Sequence, residues 1–165
     1  MHLRDTTTPL PLNSPQINNT PNGGLAQVLG GFGAEQYEDP VQARSGFADV
    51  NGYYVTPQGT VEDVGLGHGI TGTVQGDAVM WHEGAWTFEV SGSPSVYNEA
   101  VAKGMVTYLS RHLLPETYGL AAVDNAGDGE HTDLTWAEGS VLYHASDYHH
   151  ALGALKMAVS MRQNP

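Results

Sequence analysis

Between Ala85 and Val90 the chain alternates Trp86, Phe88 and Val90 with Thr87, Glu89 and Ser91, the period-two pattern of a strand with one buried face. Ile70 to Gln75 and Ala78 to His82 precede it as strands, with Gly76-Asp77 between them at the spacing of a two-residue hairpin. Tyr53-Tyr54-Val55 reads as a short strand closed by Pro57-Gln58-Gly59, and Val61 to Val64 as its hairpin partner. Leu120 to Val123, Asp133 to Trp136 and Val141 to Tyr143 are predicted strands further on, divided by the acidic loop from Asp124 to Glu130 and by the Glu138-Gly139 turn. Two stretches change to helical spacing. Val96, Tyr97, Ala100, Val101, Met105, Tyr108, Leu109 and Leu113 trace one broad face, with Ser93 as N-cap, Pro94 in the first turn and Pro115 as the stop. Ala151, Leu152, Ala154, Leu155, Ala158 and Val159 trace the other, capped by Asp147. A short helix from Leu25 to Leu29, ended by Gly30-Gly31, and a helical turn from Val41 to Arg44 complete the predicted order.

The pattern repeats. Trp81-His82-Glu83-Gly84 and Trp136-Ala137-Glu138-Gly139 share Trp, Glu and Gly at a constant spacing of 55 residues (81 to 136), and an amphipathic helix follows each. At a strand end, Trp covers the core edge and Gly takes the positive φ of a tight hairpin. Two hairpin-plus-helix units cannot bury their helix faces alone. The expected fold is therefore α+β, one antiparallel sheet with two helices packed on one face.

Trp81-x-Glu83-Gly84-x-Trp86, the helix with Val106-x-Tyr108-Leu109, Leu114-Pro115, Gly119 and Trp136-x-Glu138-Gly139 together resemble a domain of exported, often lipid-anchored proteins of Gram-positive bacteria. The resemblance covers about Tyr53 to Met161. It implies an α+β fold and an exported location, and carries no catalytic residue with it.

Composition narrows the setting. The chain has 165 residues, 6 Lys+Arg against 18 Asp+Glu, a formal charge of −12 and no Cys. So few cations cannot neutralise a run of phosphates, so nucleic acid is not an expected partner. Absent thiols exclude disulfides, thiolate metal sites and a cysteine nucleophile. No apolar run reaches the length of a membrane-spanning helix. Eight histidines let mild acid move the formal charge from −12 to −4, one charge each. Residues 1–24, with Pro9, Pro11, Pro15 and Pro21 among Thr and Asn, read as a disordered or extended tether before a single domain over 25–165. No basic, apolar and small-residue secretory pattern follows Met1. A polar, proline-rich leader before an acidic, cysteine-free domain nevertheless fits a mature exported protein, and an extracellular or cell-surface location is the expectation.

Several residue sets are candidates for chemistry. Tyr53, Tyr54, Trp81, Trp86 and Trp136 offer rings with apolar faces and polar tips, suited to a sugar- or peptide-binding surface. Asp124, Asp128, Glu130 and Asp133 place hard oxygen ligands around a Gly-rich turn, as calcium prefers, although Ala126 and Thr135 break the EF-hand pattern. His144, Asp147 and His149, or the paired Glu83 and Glu138, would serve a metal-assisted or carboxylate-based hydrolase. Gly67-His68-Gly69-Ile70-Thr71-Gly72 matches Gly-x-Gly-x-x-Gly but continues as strand, so it predicts a bulge and not a dinucleotide site. No Gly-x-Ser-x-Gly elbow is present. The leading expectation is a non-catalytic binding or structural module of the bacterial surface, with no assigned catalytic residue. Its partner would be a protein, a cell-wall component or another copy of itself. The alternatives are a hydrolase, and a self-assembling envelope or filament subunit stabilised by calcium.

Overall fold

Alternation at period two is realised in a single sheet. The computed structural model describes residues 2–4, 28–47, 59–126 and 129–162. From edge to edge the sheet runs β1 (His2–Arg4), β2 (Val28–Gln36), β9 (Val141–Asp147), β8 (His131–Glu138), β7 (Gly119–Asp124), β6 (Trp86–Ser91), β5 (Ala78–Glu83), β4 (Ile70–Gln75) and β3 (Val61–Gly67). Among the described residues three helices accompany it: α1 (Pro40–Ser45), α2 (Ser95–Leu109) and α3 (Ala151–Arg162). Neighbouring strands are antiparallel except β6 and β7, which run parallel. The expected wholly antiparallel sheet is corrected there, because α2 carries the chain back to the end from which β6 started. The class is α+β, with a mostly antiparallel open sheet.

Register explains the core. Pairing aligns Glu83, Trp86, Gly119, Trp136 and Tyr143 in one row across β5 to β9, and Trp81, Phe88, Ala121, Leu134 and Ala145 in the next. Ala102, Met105, Val106 and Leu109 of α2, and Ala151, Ala154, Leu155 and Ala158 of α3, join these strands in one apolar cluster. Helix α2 packs against β3, β5 and β6, α3 against β8 and β9, and the two helices touch. Alternate strand positions Leu120, Ala137 and Leu142 meet Phe47 and Tyr37, which flank α1, in a smaller cluster. Aromatic rings fill the main cluster: Trp81 stacks on Phe88 at 4.8 Å, and the Trp86 and Trp136 centroids lie 6.1 Å apart. Gly119 sits between the last two, and a Cβ there would lie 2.5 Å from the Trp86 ring. The hairpin glycines Gly84 and Gly139 take φ of +59° and +57°, as the turn requires.

Several predicted elements are corrected. Of the helix expected over Leu25 to Leu29, Val28 and Leu29 lie instead in β2, whose Gly30 to Gln36 pair with Asp147 to Val141, and residues 25–27 lie outside the described residues. The Gly30 backbone approaches the Ser146 carbonyl so closely that a side chain would collide, a fit open to glycine in a strand. Pairing on both sides likewise extends β9 past Tyr143 to Asp147. Strand β3 pairs with β4, and its other expected partner, Tyr53-Tyr54-Val55, lies outside the described residues. Helix α2 stops at Leu109, short of Leu113, because Ser110 to His112 tighten into turns and Pro115 disfavours helix in the residue before it. Its N-cap position is Pro94, and the Ser93 hydroxyl donates to the Asn125 carbonyl instead of capping the helix. Of the predicted 1–24 tether, His2–Arg4 forms the edge strand β1 beside Val28 to Gly31, and the rest lies outside the described residues. Helix α1 agrees with the predicted turn, and the Asp39 carboxylate accepts from the amides of Val41 and Gln42.

Candidate functional site

The β5–β6 hairpin brings Glu83 to the sheet end, opposite Trp86 and two residues from Trp81. The Trp81 indole Nε1 donates to Glu83 Oε1 at 3.1 Å, which turns the carboxylate back along its own strand. Trp86 Nε1 donates to the Pro115 carbonyl at 3.0 Å, tying the segment after α2 to the hairpin. Between them lies a hollow of about 420 Å³. Trp86, Phe88, Leu109, Leu113, Leu114 and Pro115 supply its apolar lining, and Glu83, His112, Glu116 and Thr117 its polar groups. That volume falls within the roughly 300–1,000 Å³ of small-molecule sites, as does the combination of apolar walls with a few placed polar groups.

Burial governs the electrostatics. Loss of water pushes the Glu83 carboxyl above the ordinary range, and the hydrogen bond from Trp81 and the charge of His68 only partly offset this. His112 stacks on Tyr108 at 4.2 Å, and its Nδ1 donates to the Tyr108 carbonyl at 2.9 Å. Leu113 is 65% exposed beside the hollow, an apolar side chain left facing water.

The sequence-predicted sets are placed as follows. Trp81, Trp86 and Trp136 are 2%, 3% and 0% exposed, so they build the core and not a solvent-facing aromatic surface. Their partners Tyr53 and Tyr54 lie outside the described residues, as does Asp128 of the oxygen-ligand set. Glu130 Oε2 accepts from the Ala151 amide at 2.8 Å at the start of α3, while Asp133 Oδ2 faces His131 Nε2 at 3.3 Å. Burial raises the Asp133 carboxyl despite the nearby His131 and His144. Among the described residues no group of three or more His, Asp or Glu is placed to hold a metal, and Asp124, Glu130 and Asp133 form none. His144 and Asp147 occupy opposite faces of β9, three positions apart. His144 Nδ1 meets the Thr135 hydroxyl at 3.2 Å, and Asp147 Oδ1 accepts from the amides of His149 and His150. Glu83 and Glu138 lie on β5 and β8, with β6 and β7 between them. Three strand spacings amount to about 14 Å, wider than the roughly 5–9.5 Å of a glycosidase pair. The Gly67-to-Gly72 segment is the β3–β4 turn, with an irregular register between Gly65 and Gly67, as the bulge reading expects.

Two features escape the sequence reading. The hollow depends on the early end of α2, hidden because Leu113-Leu114 prolongs the apolar pattern. Pro115, read as the stop, does not mark the end at Leu109. Asn98 is fully buried on α2, where its Nδ2 donates to the carbonyls of Asp77 (2.8 Å) and Ser93 (2.6 Å) and its Oδ1 accepts from Asn125 Nδ2 (3.0 Å). Its signal is a polar residue on the inward stripe with Ala102, Met105 and Leu109. A second, polar hollow of about 330 Å³ lies beyond this network, bordered by Ser93, Asn125, Glu130, His149 and His150.

Compared with known proteins, the chain matches no family model, no curated protein and no solved structure.

Proposed function

We propose that the chain is a non-catalytic binding module of the bacterial cell surface, and that its ligand site is the hollow between the β5–β6 turn and the segment after α2. The observation that carries this reading is the 420 Å³ hollow itself, with Trp86 held at Pro115, exposed Leu113 and a half-buried Glu83. The wide separation of Glu83 from Glu138 and the divergence of His144 from Asp147 favour binding over hydrolysis. The surface location rests on the polar leader and on the resemblance to exported domains. We further infer that the two hairpin-plus-helix units arose by duplication, with both helices on one sheet face. The 55-residue spacing links Gly84 to Gly139 and the first residues of β6 and β9, Trp86 and Val141, and both helices feed one apolar cluster.

Amide chemical-shift mapping with indole as a general aromatic probe tests the site. Shifts concentrated on 83–88 and 109–117 are expected. Shifts confined to the polar hollow around Asn125 and His149 would contradict it.

A second reading, self-assembly, draws on β3, an edge strand among the described residues, with Val61 57% exposed. Glu62 and Asp63 on that edge oppose pairing with a like strand at neutral pH, so a monomer is expected there. Growth of a larger species in mild acid would support the assembly reading.

A further inference from the structure

We propose that the hollow takes a small organic cation, an apolar or aromatic body bearing an ammonium group, with Glu83 as its counter-ion. This rests on the reading of the hollow as the ligand site and names the class of ligand it fits.

Size and lining fix the body of the ligand. Trp86, Phe88, Leu109 and Leu114 offer apolar and aromatic surface, and Leu113 stands exposed where a bound apolar group would cover it. Charge fixes the head. Two carboxylates, Glu83 and Glu116, line the hollow, and no Lys or Arg does among the described residues. The whole chain carries a formal charge of −12, which attracts cations and repels anions at a distance. Geometry makes Glu83 the partner. Trp81 occupies its Oε1, and the other carboxylate oxygen has no hydrogen bond from that indole. Trp86, opposite Glu83 in the register, lines the hollow beside it.

The same burial that raises the Glu83 carboxyl makes a cation favourable beside it. Desolvation disfavours the charged carboxylate when it stands alone, and an incoming ammonium restores a partner. Binding and ionisation of Glu83 are therefore linked. The other titratable groups that bear on it are His68, whose positive form favours the carboxylate, and His112 and Glu116 around the hollow. Protonated His68 and His112 would compete with the ligand in acid, so they act in the same direction as protonation of Glu83. An anionic ligand of the same shape would meet two carboxylates and lose affinity.

Calorimetric titration of the full chain with benzylamine, benzyl alcohol and benzoate tests this directly. Benzylamine is expected to bind at least about tenfold more tightly than benzyl alcohol at pH 7, the factor that one charge-assisted hydrogen bond readily provides, and benzoate not to bind. Lowering the pH to 4 should weaken the amine and leave the alcohol unchanged. In Glu83→Gln, which keeps an acceptor for Trp81, the amine's advantage over the alcohol should vanish while alcohol binding persists. Persisting alcohol binding also reports that the variant is folded. Equal affinities for amine and alcohol in the unaltered chain, or an undiminished advantage in Glu83→Gln, would overturn the cation assignment and leave the pocket reading standing. Binding of none of the three would overturn both.

Discussion

Trp81 Nε1 donates to Glu83 Oε1 at 3.1 Å, whereas Trp136, 55 residues further on, makes no such bond to Glu138. The Trp136 nitrogen is buried without a partner among the described residues, and Glu138 is exposed. The residue opposite differs too, Trp86 for Glu83 and Val141 for Glu138. The same Trp-x-Glu-Gly string thus builds a hairpin twice and a half-buried carboxylate beside a hollow once.

Glu83 should impose a pH dependence on stability. Its folded pKa is raised, so between the ordinary carboxylate value, ~4.3, and the raised one the native state binds more protons than the unfolded state. Stability therefore falls as pH rises through that window and is flat above it. Glu83→Gln should remove this component. Urea unfolding from pH 4 to 7 measures it; Asp133, also raised by burial, leaves a residual slope of the same sign. An unchanged slope in Glu83→Gln would show that Glu83 is not desolvated.

Gly119 is demanded by Trp86. A Cβ 2.5 Å from the indole must displace it, so Gly119→Ala is expected to cost about 1–3 kcal/mol. Trp86→Leu shrinks the neighbour. The double variant should therefore be more stable than the sum of the single effects predicts, read by denaturant unfolding. Strict additivity would indicate that the two residues do not press on each other.

Asn98 ties three segments together. Asn98→Ala leaves the carbonyls of Asp77 and Ser93 and the Asn125 amide without their buried partner, so a loss of about 2–4 kcal/mol is expected. Thermal unfolding checks this, and a change under 1 kcal/mol would show that water replaces the side chain readily.

Glu130 caps α3. Glu130→Ala is expected to lower stability by about 1 kcal/mol through loss of its bond to the Ala151 amide. With that carboxylate engaged, millimolar calcium should leave the melting temperature unchanged. A calcium-dependent rise would show that the Asp124–Asp133 loop rearranges to hold the ion.

Much of the sheet was legible because its faces alternate. Trp86, Phe88 and Val90 gave β6, the Gly76-Asp77 spacing gave the β4–β5 hairpin, and the two Trp-x-Glu-Gly strings gave the two hairpin turns. Strand β2 was not legible. Val28-Leu29-Gly30-Gly31-Phe32-Gly33 lacks alternation, and its conformation is set by pairing with β9, more than a hundred residues away. Burial of the tryptophans was also undecided, since a ring with a polar tip suits either core or surface. Cross-strand rows decide it, placing Trp86 and Trp136 on both sides of Gly119. Convergence of candidate ligands is likewise a matter of fold. Asp147 and Glu130, both read as site residues or caps from sequence, are committed to backbone amides at the start of α3.

Intermolecular nuclear Overhauser effects between benzylamine and the isotope-labelled chain test the central claim most directly. Contacts from the ligand ring to Trp86, Leu109 and Leu113, with the methylene beside the amine near Glu83, are predicted. Contacts at any other surface, or none at saturating ligand, would contradict it.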